Sequence, residues 1–271
     1  MNKDEIQHAL KTAQSIALEA GEILKKYWGN LHHIERKTFA WDLVTEADKE
    51  SEKLIRERIN ASFPHHNLLC EESGLTETEE TDYLWCVDPL DGTTNYTHQY
   101  PMVSVSIALL EKGNPLVGVI YNPVHNELFS AGLGLGAQLN GQKIAVSTVE
   151  DLETSLLVTG FSYDRKTAVE TNYREFCYLT HLTQGVRRGG SAALDLAYVA
   201  AGRVDGYWER GLQPWDIAAG TLIVQEAGGL VTLYNKEPID LFSGKILATN
   251  KKIHTPLSDA IQQAKTANFP H

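Results

Sequence analysis

The chain has 271 residues, 42% of them hydrophobic, and 24 Lys and Arg against 35 Asp and Glu give a formal net charge of −11. That length allows one large domain or two closely joined ones; the acidic balance argues against a nucleic-acid ligand, which needs basic patches, and suits a protein that gathers cations. No apolar run approaches the ~18 residues of a membrane span, the N-terminus MNKDEIQHAL is charged where a signal peptide is apolar, and the odd, scattered Cys70, Cys86 and Cys177 suggest reduced thiols in a cytoplasmic protein.

Residues 4–27 carry Ile6, Leu10, Ala13, Ala17, Ala20, Leu24 and Tyr27 at helical spacing, with Gly21 as the one weak position. Residues 30–43 read as a loop or short hairpin. A second helix starts after Thr45, buries Leu54, Ile55, Ile59 and Phe63, and ends before Pro64. Thr76–Asp82, all acid and threonine, reads as a solvated loop. Then the period changes. Tyr83–Val87 is an apolar strand running into Asp88. Met102–Leu110, Leu116–Tyr121 and Leu128–Ala131 form an antiparallel meander, separated by Lys112-Gly113-Asn114-Pro115 and Asn122-Pro123, with Asn140-Gly141 as a further hairpin signal. Beyond residue 152, strands at Leu156–Val158, Gly206–Trp208 and 246–249 alternate with helices over 163–183, 191–202 and 215–227, the last closed by Gly228-Gly229, before a terminal helix. Two sheets with helices between and outside them are the expected layers of an α+β fold.

The chemistry concentrates in Asp88-Pro89-Leu90-Asp91-Gly92-Thr93-Thr94-Asn95. A strand delivers Asp88, Pro89 forces a turn, and Asp91 follows three residues later. Two carboxylates on one tight turn repel each other unless a cation lies between them, and carboxylate plus carbonyl oxygen, here from Leu90, is the donor set of a hard divalent ion. Gly92-Thr93-Thr94 then offers free N–H groups at a helix start, a phosphate cradle. Glu71-Glu72 after apolar Leu68-Leu69-Cys70 places further acids at a strand end.

These segments resemble the inositol monophosphatase family. Asp88–Asn95 is similar to its first signature and Trp215-Asp216-Ile217-Ala218-Ala219-Gly220 to its second; Asp42–Asp48, Glu71-Glu72-Ser73 and Gly190–Leu196 match further motifs in the family's order. The resemblance implies a layered α-β-α-β-α, sugar-phosphatase-like fold with mixed and antiparallel sheets. It implies one catalytic unit over 1–271, with a metal-site half (1–150) and a substrate-side half (151–271). One Mg²⁺ would be held by Glu71, Asp88 and the Leu90 carbonyl, a second by Asp88, Asp91 and Asp216, with a third, weaker ion near Glu71. Two ions clamp both oxygens of an in-line displacement by an activated water, which Thr93, with Asp48 behind it, would orient or deprotonate. Glu71 counts among the catalytic groups; Glu71, Leu90, Asp91, Gly92, Thr93, Asp216, Glu209 and the backbone of Gly190-Ser191-Ala192 would meet the substrate, Glu209 at a hydroxyl. Myo-inositol 1-phosphate leads as substrate; histidinol phosphate, fructose bisphosphate and adenosine bisphosphates are alternatives. Lithium inhibition and a homodimer also follow from the resemblance, as does a rival role as a regulatory partner in RNA processing without direct nucleic-acid contact.

Each residue also has a plainer reading. Thr45-x-x-Asp48 is a capping pattern, and Asp48 can serve as cap, catalytic group or both. Asp216 can cap its helix as well as bind an ion. Gly190–Ala192 can be a helix start, Glu209 an unremarkable lone acid in a strand, and Lys37 and the Glu71-Glu72 pair solvated. Arg187-Arg188 fits an anionic substrate, a partner chain or an ordinary ion pair. Gly132, Gly134 and Gly136 lack the helix that would follow a nucleotide loop and read as turns. His32-His33 and His65-His66 read as surface loops. Cys70 reads as a small buried residue, with oxidation sensitivity as the alternative.

Overall fold

A computed structural model describes residues 1–37, 39, 42–78 and 81–267. Helix α1 (Lys3–Tyr27) is capped by Asn2, whose side chain accepts from the N–H groups of Asp4 and Glu5. It buries Ile6, Ala9, Ala13, Ile16, Ala17, Ala20 and Leu24, with Leu10 and Tyr27 half-buried at the margin. Gly21 is required: a Cβ there would stand 2.2 Å from Cε1 of Tyr121. Strands β1 (Ile34–Arg36) and β2 (Leu43–Thr45) form a short antiparallel hairpin. Helix α2 (Glu46–Ser62) follows at once from its Thr45 cap and buries Ile55 and Ile59, leaving Leu54 and Phe63 half-buried.

The first large sheet comprises β3 (Asn67–Cys70), β4 (Gly74–Thr76), β5 (Tyr83–Asp91) and, after the short helix α3 (Thr93–Thr97), the strands β6 (Ser104–Glu111), β7 (Asn114–Asn122), β8 (Glu127–Gly132), β9 (Gly136–Leu139) and β10 (Gln142–Lys143). Its order is β10-β9-β8-β7-β6-β5-β3-β4, antiparallel throughout except between β3 and β5. The meander is therefore as expected, except that Asn114 and Pro115 belong to β7 and the turn is Lys112-Gly113 alone. That pair (φ 52° and 80°) and Asn140-Gly141 (φ 49° and 77°) have the left-handed residues that two-residue hairpins need. Of the acidic loop, Glu77, Thr78 and Asp82 are exposed, Thr76 ends β4, and Glu79 and Glu80 lie outside the described residues. The glycine-rich turn after β8 is held by the protein's own anion: the N–H groups of Gly134 and Gly136 donate to Glu226 at 2.8 and 2.7 Å.

The second sheet is built from β11 (Leu156–Thr159), β12 (Gly185–Arg188), β13 (Gly206–Arg210), β14 (Leu230–Thr232) and β15 (Lys245–Thr249), in the order β12-β11-β13-β15-β14. β11 runs parallel to both β12 and β13; the other pairs are antiparallel. The helices are α4 (Tyr173–Leu182), α5 (Ala192–Ala200), α6 (Pro214–Glu226) and α7 (His254–Ala264). The expected helix over 163–183 is corrected to α4 alone. Its first half is a loop tied down by Arg210, which bonds Asp164 Oδ2 at 2.8 Å and the Glu170 carbonyl at 2.7 Å, and by Asn172, which donates to the Gly160 carbonyl. These long-range polar ties replace the i→i−4 ladder.

α1 and α2 cover one face of the eight-stranded sheet, α5 and α6 fill the space between the sheets, and α4 and α7 cover the far face of the second. This is the expected α-β-α-β-α stack. One apolar core joins α5 and α6 to both sheets, a second lies under α1, and a third under α7. Among the described residues no helix is long and apolar enough to cross a membrane.

Candidate active site

The edge where parallel strands end gathers the acidic residues. β3 lies parallel to β5, and the N–H of Glu71 donates to the Val87 carbonyl at 3.1 Å, so Glu71 emerges beside Asp88. Along β5 the register against β6 jumps: Asp88 faces Ser106 and Asp91 faces Ser104. Three steps on one strand match two on the other, a bulge of one residue. In a regular strand, side chains three apart point to opposite faces; the bulge turns Asp88 and Asp91 to the same one. Gly92 then takes φ 94°, where a Cβ would stand 2.8 Å from the Met102 carbonyl, and α3 begins.

Several helices aim their N-termini at this edge. Asp48, in the first turn of α2, accepts from the N–H and Oγ1 of Thr45 at 2.9 and 2.5 Å, and its other oxygen receives Thr93 Oγ1 at 3.1 Å. It is cap and site residue together. Asp91 Oδ2 accepts from Ser191 Oγ at 2.6 Å and from the Ala193 N–H at 2.8 Å, at the start of α5. Asp216, in the first turn of α6, accepts from the Gln213 N–H at 2.7 Å. The positive ends of these helices are what allow so many carboxylates to share one buried place.

A cavity of about 570 Å³ opens over them, lined among others by Lys37, Glu71, Asp88, Leu90, Asp91, Gly92, Thr93, Gly190, Ser191, Ala192, Glu209 and Asp216. Every site residue anticipated from sequence lies on it except Asp48, which reaches it through Thr93. Thr93 Oγ1 is also 3.2 Å from the Leu90 carbonyl. Glu209, at the end of β13, receives the Tyr207 hydroxyl at 2.8 Å. The cavity also includes residues that sequence reasoning did not single out: Phe161, Ser162, Tyr163 and Arg165 on the loop after β11, together with Gln213. Arg188, left open, borders it too. The missing signal is topological. The loops following β11, β12 and β13 all leave the carboxyl ends of parallel strands, the edge where open α/β sheets form their clefts. His65 and His66 lie in the loop between α2 and β3 as expected, but His66 is half-buried: it accepts from Trp85 Nε1 at 3.2 Å and stacks on Phe63 and Tyr83.

Burial and mutual repulsion dominate the electrostatics. Burial, then Glu71, Asp91 and Asp216, hold the Asp88 carboxyl well above its ordinary range; burial and Asp91 do the same to Asp216. Burial raises Asp91 to about 6, a smaller rise because Ser191 and Ala193 donate to it. Burial likewise raises Asp48 to about 6 and Glu209 to about 7. Among the described residues an ammonium meets them at Lys37 Nζ, 2.8 Å from Glu71 Oε1 and 2.5 Å from Glu72 Oε1. Among the described residues no three His, Cys, Asp or Glu side chains close on a common centre as they stand. The donor set nonetheless fits a hard cation: four carboxylates and a carbonyl, all oxygen, with Asp88 and Asp91 buried and Glu71 and Asp216 half-buried beside them.

The model of the inositol monophosphatase family matches residues 5–266. The chain is 54% identical over 257 residues to the inositol-1-monophosphatase of Synechocystis, covering 95% of this chain and 90% of the relative. It is 42% identical over 263 residues to the Nus factor SuhB of Escherichia coli K12, covering 94% and 98%. The solved inositol monophosphatase of Anabaena (Nostoc) sp. PCC 7120 superposes with a TM-score of 0.88 at 53% identity, over 96% of this chain and 97% of that one.

Proposed function

The chain belongs to the inositol monophosphatase family and is a phosphatase, and from that premise we propose that it hydrolyses small phosphate monoesters with Mg²⁺, myo-inositol 1-phosphate foremost. The observation that carries this reading is the convergence of Glu71, Asp88, Asp91 and Asp216 on one cavity beside the starts of α3, α5 and α6. Glu71, Asp88 and the Leu90 carbonyl would hold one ion, and Asp88, Asp91 and Asp216 another, with a weaker third near Glu71. When bound, Mg²⁺ neutralises the phosphate and lowers the pKa of water at the site.

The remaining work falls to the chain. The helix starts direct N–H groups at an anion. Thr93 orients the attacking water through its hydroxyl, and Asp48, raised to about 6, accepts the proton that Thr93 passes on. The loop over 160–165 and the Gly190–Ala192 backbone enclose the organic part of the ester, and Glu209 takes one of its hydroxyls. Lys37 holds Glu71 until an ion replaces its ammonium. In this reading the protein works in the cytoplasm as a homodimer with a single catalytic unit, and lithium competes at the Asp88/Asp91/Asp216 site.

Phosphate release from inositol phosphate, histidinol phosphate, fructose bisphosphate and adenosine bisphosphate, with Mg²⁺ and in excess chelator, tests the reading. Full turnover in chelator rejects the metal mechanism; a preference for another ester replaces the substrate alone. The 42% identity to a protein named as a Nus factor supports a second reading, in which the same fold also serves a protein partner. The net charge of −11 weighs against direct RNA contact.

A further inference from the structure

Helix α2 buries three polar side chains on one face: Asp48, Ser51 and Glu52 are 0%, 0% and 4% exposed. They lie at spacings of three and four residues, where helix neighbours share a face. Buried acids in a helix are uncommon without partners, and each of these has one in a different segment of the site. Asp48 receives Thr93 at the start of α3. Ser51 Oγ donates to the Pro89 carbonyl, inside the β5 bulge, at 3.0 Å. Glu52 Oε2 accepts from the N–H of Glu72 at 2.8 Å, on the turn between β3 and β4.

The last contact has no role in the chemistry described above. Glu71 sits on that turn with its own N–H tied to Val87. The next N–H along the chain is tied to Glu52. The peptide on each side of Glu71 is thus fixed, one to β5 and one to α2, and its side chain leaves a frame with little freedom to turn. An apolar residue at position 52 would pack under the turn without gripping it.

We propose that Glu52 is a positioning residue, which holds the Glu72 N–H so that the Glu71 carboxylate faces the metal site. The proposal rests on the metal-dependent reading and adds a residue to it. The reach of the side chain matters here more than its charge. E52Q keeps both the length and an acceptor oxygen; E52D keeps the charge but falls one methylene short of the N–H.

Mg²⁺ alone is titrated calorimetrically into chelator-stripped wild type, E52Q and E52D, each intact, with melting in chelator as the check on folding. E52Q should bind close to wild type. E52D should lose roughly 10–100-fold in affinity, the usual cost of removing a group that orients a ligand. That loss should fall on the ion served by Glu71 and spare the one between Asp91 and Asp216. Turnover by E52D should return at high Mg²⁺, with KM for the ester unchanged. Equal affinity in E52D and wild type, or a greater loss in E52Q than in E52D, overturns the proposal alone. No Mg²⁺ uptake by wild type overturns the metal reading and this proposal with it.

Discussion

Ser191 Oγ donates to Asp91 Oδ2 at 2.6 Å, and the same oxygen accepts the Leu194 N–H at 3.3 Å, capping α5. Ser104 Oγ stands 3.2 Å away on the strand opposite the bulge. One hydroxyl therefore joins the start of α5 to the Asp91 carboxylate of the first signature, so that stability and site geometry share an atom.

Ser191→Ala should lower stability by about 1 kcal/mol, the usual worth of an N-cap. The same variant should weaken Mg²⁺ binding, because Asp91 loses a donor that orients it. Denaturant melts in chelator and a Mg²⁺ titration measure the two effects separately. A stability loss with unchanged Mg²⁺ affinity would limit Ser191 to capping.

Asp91→Asn removes one of four converging negative charges while leaving an oxygen for Ser191 and Ala193. In chelator this variant should melt above the parent. With Mg²⁺ the order should reverse, because the parent gains about 2.7 kcal/mol at roughly a hundredfold excess over its dissociation constant and the variant gains much less. The variant should also be nearly inactive. Parallel melts with and without Mg²⁺ would remove Asp91 from the ligand set.

Glu209 is buried and its pKa stands at about 7, raised mainly by burial from the ordinary 4.5. A carboxyl raised on folding favours the folded state most below its unfolded pKa, and that contribution is lost as pH rises from about 4.5 through 7. Glu209→Gln carries no such charge, so its stability should fall less than wild type over that interval. On inositol phosphate its turnover should drop, and on an aryl phosphate without hydroxyls it should stay near wild type. Equal losses on both esters would make Glu209 a structural support.

Cys70 is fully buried, and burial pushes its thiol up to about 12. The thiolate is the reactive form, so the alternative of an oxidation-sensitive Cys70 loses its physical basis. Cys177 on α4 is exposed. Iodoacetamide at neutral pH should therefore add one group per chain, at Cys177, without loss of activity; mass spectrometry and an assay read both. Modification of Cys70 in the folded protein would contradict this.

What could be read from sequence was whatever local rules dictate. The α1 stripe, the Thr45 cap and Pro64 stop of α2, and the Lys112-Gly113 and Asn140-Gly141 hairpins each rest on a few adjacent residues. So does the Asp88–Asn95 string, whose chemistry shows in residue type and spacing. The bulge was hidden, because it exists only in the register of β5 against β6. The loop over 163–172 was misread as helix because its ties to Arg210 and Glu170's partner Lys245 come from distant strands. Glu52 carried no signal at all: a lone acid in a charged helix looks solvated until the turn it grips is folded beneath it.

The contact of Gly21 with Tyr121 also has a meaning for the growing chain. A hundred residues separate the two positions, and at roughly 5–20 residues per second the ribosome needs about 5–20 s to bridge them. For most of that interval the apolar side of α1 lacks β6 to β8, the strands it covers. Its other neighbour, α2, is finished much sooner and already packs against it. The pair is therefore available before the sheet, and it shields part of the stripe until β6 to β8 emerge. Nascent chains halted just before β7 should be the ones that chaperones hold longest.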